Sequence, residues 1–261
     1  MRFVVKIGGA AIDEAATLKK CSQAVAALAA LGHHVAVVHG GGAALTRVLA
    51  QLGREAKFIN GLRVTDAETR DVALMVLAGQ VNKKLVASIC AEGPAAIGLC
   101  GGDGRAFLAR KKTPQGVDLG FVGEIVSVDT RWIEALWEKG GIPVISSLAL
   151  GADNEYYNVN ADQMAAACAA GCKAEALVFL TDVPGVKGAD GAVMPRLSAA
   201  QIPDLEKSGV IKGGMLPKLA ACRDALAGGV GRVRILPSVQ ADLLPGFEAG
   251  KLESGTEVTL Q

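Results

Sequence analysis

Short apolar runs that break off in glycine recur along this chain at helix-length intervals, and that rhythm restricts it to few folds. Arg2–Ile7 runs into Gly8-Gly9, and His34–His39 runs into Gly40-Gly41-Gly42. Ala95–Cys100, Ile142–Ser146, Ala176–Leu180 and Arg232–Leu236 are runs of the same kind. Nearly continuous apolar character marks strands buried on both faces, as in a parallel sheet. Helical spacing fills the intervals: Glu14–Leu31, Ala43–Leu52, a long segment capped by Asp66 and reaching about Cys90, Arg131–Lys139, Ala161–Gly171, Ser198–Lys207 and Leu216–Ala227. Strands alternating with helices predict an α/β fold with a mostly parallel central sheet covered on both faces. Phe107–Lys111 and Phe121–Val128 are expected to form a more polar hairpin region. A soft division near Lys173 splits one continuous domain into lobes of residues 1–173 and 174–261.

Composition bears on partners. Lys and Arg total 27 against 26 Asp and Glu, a net charge of +1 without a basic stripe, so nucleic acid and anionic membrane surfaces have no electrostatic support. The apolar runs are interrupted, which predicts no membrane-spanning helix, and Gly8-Gly9 cut the first run too early for a signal peptide. Six cysteines (Cys21, Cys90, Cys100, Cys168, Cys172 and Cys222) form no CxxC pair. Cys168 and Cys172 stand one helical turn apart and could hold a metal, but small buried thiols in an Ala-rich helix are the preferred reading. A reduced, cytoplasmic protein is expected.

The chemistry-bearing residues gather where strands end, which is where ligands bind in open α/β sheets. Lys6-Ile7-Gly8-Gly9 places a mobile cation and exposed backbone amides together. This is either a phosphate cradle or a tight turn with a solvated lysine. Gly40-Gly41-Gly42 exceeds what a turn needs and implies close approach of a ligand, with free N–H groups at the next helix start suited to an anion. His39 beside it reads as structural. Asn60-Gly61-Leu62-Arg63-Val64-Thr65 offers a guanidinium that can grip a carboxylate with paired hydrogen bonds. Asn158-Val159-Asn160-Ala161-Asp162 carries more polar groups than one helix cap requires, with Asp162 suited to holding cations. Thr181-Asp182-Val183-Pro184-Gly185 reads as a Pro-Gly turn or a nucleotide loop. Gly213-Gly214-Met215-Leu216-Pro217-Lys218 puts Lys218 near a helix start, unfavourable against the dipole unless a polyanion sits there.

Six such motifs in this order, over nearly the whole chain, resemble the amino-acid kinase family, and within it the branch that phosphorylates N-acetyl-L-glutamate. The resemblance implies a three-layer αβα sandwich, an N-terminal lobe for the amino-acid substrate and a C-terminal lobe for ATP. The implied reaction is ATP plus N-acetyl-L-glutamate giving ADP and N-acetyl-L-glutamyl 5-phosphate. Lys6 and Lys218 would stabilise charge on the moving phosphoryl group, and Asp162 would orient both lysines. Gly8, Gly9 and Gly41 would supply amides along the phosphate path, and Gly41, Gly42, Arg63 and Asn158 would hold the substrate. Thr181, Asp182, Val183, Pro184, Gly185, Ile211, Lys212 and Gly213 would line the nucleotide, with Mg²⁺ carried on its phosphates. Ala10 departs from the family, which often has a small polar residue there. Rival readings are a kinase for carrier-linked aminoadipate and a catalytically silent ligand-binding module; retention of Lys6, Lys218 and Asp162 argues against the second. The long helix after Asp66 suits an isologous contact, so a homodimer is expected. Arginine-sensitive members of the family carry an extra helix before the first strand, and with that strand starting at Arg2, strong inhibition by arginine is not expected.

Overall fold

In this computed structural model, residues 1–59, 61–247 and 254–260 are described. The apolar runs assemble into an eight-stranded sheet in the order Arg196–Ser198, Thr256–Thr259, Arg232–Pro237, Ala176–Thr181, Arg2–Ile7, His34–His39, Ile142–Ser146, Ala96–Cys100. The strands from Arg232–Pro237 through Ala96–Cys100 are all parallel. Thr256–Thr259 pairs antiparallel with Arg232–Pro237 and carries Arg196–Ser198 at the edge.

Alternation of side chains along each strand divides the interior into two cores. Phe3, Val5 and Ile7 point to one face, where Ala15–Ala30, Gly42–Gln51 and the 67–90 helix pack. Val4 points to the other, among Met164, Ala165 and Cys168 of Ala161–Gly171 and Leu219, Cys222 and Ala225 of Met215–Ala227. Those helices approach closely because their facing residues are small; a Cβ on Gly228 would stand 2.6 Å from Ala170. The three-layer αβα sandwich is therefore present, with the Arg2–Ile7 strand in the middle. The chain leaves that strand toward His34–His39 on one side and later returns to its other side through Ala176–Thr181. The carboxyl end of Arg2–Ile7 is thus the topological switch point, where a crevice opens.

Four features differ from the sequence expectation. Phe107–Lys111 and Val122–Val128 do pair antiparallel, but Leu148–Gly151 and Tyr156–Val159 join them to close a small barrel. Such pairing is long-range and leaves no local pattern. Leu62–Arg63 forms a small hairpin with Phe58–Ile59; Asn60 lies outside the described residues. The long helix contains a π-helical stretch, Leu74–Val81, between Ala67–Ala73 and Asn82–Cys90. By length and composition this 67–90 helix could cross a membrane, contrary to the expectation of none, yet Val72, Ala73, Val76, Leu77, Val81, Leu85 and Ile89 are buried in the core.

Candidate active site

Lys6 faces the same side of the sheet as Val4, at the last such position before the strand ends in Gly8. Two helices of that layer begin at the same place. Asn160 caps one, its Oδ1 accepting from the amides of Asp162 at 2.9 Å and Gln163 at 3.2 Å. This fixes Asp162 in the first turn, where the helix dipole favours an anion. Lys218 comes from the first turn of the other helix. The three side chains meet: Lys6 Nζ is 2.8 Å from Asp162 Oδ1, and Lys218 Nζ donates to Asp162 Oδ2 at 3.0 Å. All are buried, at 9% exposure for Lys6 and 7% for Asp162 and Lys218.

The electrostatics follow from that burial. Desolvation pushes the Asp162 carboxyl up, but the fields of Lys6 and Lys218 outweigh it and hold the group below its ordinary value. Lys218 is lowered, first by desolvation and then by Lys6, with Asp162 opposing. Two buried ammonium groups sharing one carboxylate leave an excess positive charge at the crevice. Lys6 Nζ and Asp162 Oδ1 form a buried ion pair.

One cavity opens on this group from the C-terminal side. It holds about 510 Å³ and is lined by Lys6, Gly8, Gly9, Thr181, Asp182, Val183, Lys212 and Lys218, among others. A neighbouring cavity of about 250 Å³ is formed by Val183, Pro184, Gly185, Val186, Lys187, Val210, Ile211, Lys212 and Met215, a mainly apolar lining suited to a flat ring. Gly185 has φ +148°, and a Cβ there would stand 2.6 Å from Val193, so close packing requires glycine. Gly213 turns the chain at φ +61° ahead of the lysine-bearing helix.

The other side of the crevice is a chamber of about 160 Å³ bounded by the glycines at 40–42, Arg63, Ser147, Asn158 and the apolar Leu45, Phe58, Leu62, Leu77, Val122 and Val159. In-register pairing of Ile7 with His39 brings the two glycine loops together; a Cβ on Gly9 would lie 3.5 Å from Gly41 Cα. At ordinary contact distance, protein sterics alone do not demand glycine at position 9. Gly41 differs, since its Cβ would stand 2.7 Å from Leu77, which the π-helical stretch carries up against it. Arg63 Nη2 donates to Gly42 O at 2.9 Å and Thr46 Oγ1 at 2.7 Å, and its guanidinium lies 4.7 Å from the Phe58 ring centroid. Its Nη1 is buried with no hydrogen-bond partner, and burial lowers its pKa. A guanidinium held by one arm with the other unsatisfied suits an incoming carboxylate. Asn158 donates to Thr65 Oγ1 at 3.3 Å across the chamber rim.

Of the residues singled out in the sequence, Lys6, Gly8, Gly9, Thr181, Asp182, Val183, Lys212 and Lys218 line the larger cavity, Pro184, Gly185 and Ile211 the neighbouring one, and Gly41, Gly42, Arg63 and Asn158 the chamber; Asn60 lies outside the described residues, and Cys168 and Cys172 are buried in the core. Sequence reasoning missed the apolar wall of Leu45, Leu77, Val122 and Val159, whose residues look like ordinary core. It also missed Met215 beside the nucleotide loop. His39 is fully buried and pushed down to about 4 by desolvation, which suits a structural, neutral imidazole.

Residues 1–237 match the model of the amino acid kinase family. A protein of Acidobacterium capsulatum named acetylglutamate kinase is 62% identical over 258 residues, covering 99% of each chain. Its namesake in Koribacter versatilis is 57% identical over 99% of this chain and 98% of its own. Among solved structures, N-acetylglutamate synthase from Neisseria gonorrhoeae, complexed with coenzyme A and N-acetyl-glutamate, superposes with a TM-score of 0.87 at 27% identity, covering 100% of this chain and 59% of that one. This chain belongs to the amino acid kinase family.

Proposed function

We infer that this chain transfers the γ-phosphoryl group of ATP to the side-chain carboxylate of N-acetyl-L-glutamate, giving ADP and N-acetyl-L-glutamyl 5-phosphate in arginine biosynthesis. Full-length relatives named acetylglutamate kinase support the substrate. The observation that carries the chemistry is the Lys6–Asp162–Lys218 group, which stands between a small chamber and a larger cavity. A carboxylate is already a nucleophile, so the site needs no general base. What opposes reaction is bringing a carboxylate up to a polyphosphate. Excess positive charge from two lysines offsets that repulsion and matches the charge spread over the transferring group.

In this reading the chamber takes the amino acid. Arg63 Nη1 and Asn158 hold its main-chain side, and Gly41 and Gly42 close over the reacting end. The C-terminal cavity takes the nucleotide, with its phosphates over Gly8, Gly9, Lys6 and Lys218 and its base among Val183–Gly185, Ile211 and Lys212; Thr181, Asp182 and Gly213 shape the loops. Residues 1–173 and 174–261 are the corresponding substrate and nucleotide lobes, sharing the central sheet. Among the described residues no cluster of three or more His, Cys, Asp or Glu could form a metal cage. Mg²⁺ carried on the nucleotide phosphates would supply further charge neutralisation. The enzyme is proposed to be cytoplasmic and a homodimer. Met75, 63% exposed on the long helix, supports the helix face as the contact, and light scattering of Met75→Glu against the parent tests it.

A substrate panel decides the activity. ADP release should require N-acetyl-L-glutamate and be absent with glutamate, aspartate or aminoadipate, and hydroxylamine should trap the acyl phosphate. No acetylglutamate-dependent ADP release would overturn the reading.

A further inference from the structure

We infer that Asn82 and His39 act as a positioning relay that aims the Gly41 amide into the active site; this rests on the function proposed above. Both side chains are fully buried beneath the glycine loop. His39 Nδ1 is 2.7 Å from Gly40 O, and because a carbonyl only accepts, the proton sits on Nδ1. Asn82 Nδ2 is 3.0 Å from His39 Nε2 and 2.9 Å from Val144 O. The Val144 carbonyl fixes the orientation of the amide, so Asn82 donates and Nε2 accepts. Every bond therefore runs one way, from Asn82 to His39 to Gly40, and a neutral Nδ1–H imidazole is the only form that satisfies all of them.

The consequence lies in one peptide unit. The Gly40 carbonyl and the Gly41 N–H belong to the same trans peptide and point in opposite directions. Holding the carbonyl on the buried imidazole turns the Gly41 N–H away from it, toward the gap between the glycine loops. Consistently, a Cβ on Gly9 would lie 3.7 Å from Gly41 N and 3.8 Å from Gly42 N. Gly40-Gly41-Gly42 could otherwise adopt many backbone orientations. The relay removes that freedom on one side, while Leu77 and Val81 block it on the other. A donor fixed before substrate arrives is what transition-state stabilisation requires.

Two variants separate positioning from mere core filling. His39→Asn places an amide nitrogen at the Nδ1 position and can still hold Gly40 O. His39→Gln reaches toward Asn82 but leaves the Gly40 carbonyl unheld. His39→Gln should lose kcat by roughly 10²-fold with the KM for ATP little changed, whereas His39→Asn should retain kcat within about tenfold of the parent. Thermal unfolding of both gives the structural cost, which should not follow the same order. In the unsubstituted protein, ¹⁵N NMR of the imidazole should show the neutral Nδ1–H tautomer at pH 6–7. An Nε2–H tautomer or an imidazolium there, or a Gln variant as active as the Asn variant, overturns the proposal. The tautomer measurement needs no substrate and no variant that folds. If the parent fails to turn over acetylglutamate, the proposed function fails while the relay is still decided.

Discussion

Replacing Asp162 by asparagine keeps the side chain's shape and removes the single charge that two buried ammonium groups share. Lys6 at 2.8 Å and Lys218 at 3.0 Å would then face each other uncompensated. Removing one partner of a buried ion pair costs about 3–5 kcal/mol. At about 2–4 °C per kcal/mol for a chain of this size, the melting temperature should fall by roughly 6–20 °C. Bound nucleotide supplies negative charge at the same place, so the variant should recover more from it than the parent does. A ligand at about 100 times its Kd stabilises any binder by about 2.7 kcal/mol, and at the same nucleotide concentration the variant's gain should exceed the parent's because its Kd for the polyanion should be lower. Turnover should still fall by about 10²-fold or more, because the lysines are no longer held at the phosphoryl position. Differential scanning fluorimetry with and without MgATP, alongside ADP release, reads all of this. A melting temperature within about 2 °C of the parent's, or a nucleotide shift no larger than the parent's, would show that Asp162 is not what holds the lysines.

Lys6→Met and Lys218→Met should each lower kcat by about 10²–10³-fold, and the double variant should lose far less than the product, since both act on one phosphoryl group; steady-state kinetics on all three decides. Arg63→Lys should raise the KM for acetylglutamate by roughly 10–100-fold, the loss of one charged hydrogen bond, with the KM for ATP unchanged; a shift confined to ATP would move Arg63 to the nucleotide site. His39 gives stability a defined pH dependence. Its folded pKa of about 4 lies below its ordinary 6.5, so the unfolded chain takes up the proton first on acidification. The stabilisation is complete above pH 6.5 and is lost between there and pH 4, by roughly 3 kcal/mol in all. Asp162, also lowered, adds a further loss below its ordinary 3.8. Urea midpoints from pH 7 to 4 measure the slope, which His39→Asn should flatten.

The parts of this molecule that the sequence makes legible are local ones. A parallel strand buried on both faces is apolar throughout, so Arg2–Ile7 and Ala176–Thr181 declare themselves; the edge strand Arg196–Ser198 is short and half polar, and does not. Lys6 is visible because it interrupts an apolar run just before two glycines, and Lys218 because a cation near a helix start opposes the dipole. Their convergence on Asp162 spans most of the chain and follows only from sheet order, which puts the first strand at the switch point. The π-helical stretch from Leu74 to Val81 left no trace because the segment is apolar nearly all round, and an added residue in a turn shifts a phase that nothing marks. Yet that shift seats Leu77 on Gly41, and Asn82 follows directly after it, inside the core under His39. Asn82 was legible in principle, as a polar residue between the apolar Val81 and Leu85 on the inward side of a core helix. Such a residue is costly unless bonded, so finding one obliges a search for the group it serves. Here that group is the imidazole beneath the glycine loop, which ties an unremarked helix position to the orientation of one amide at the site.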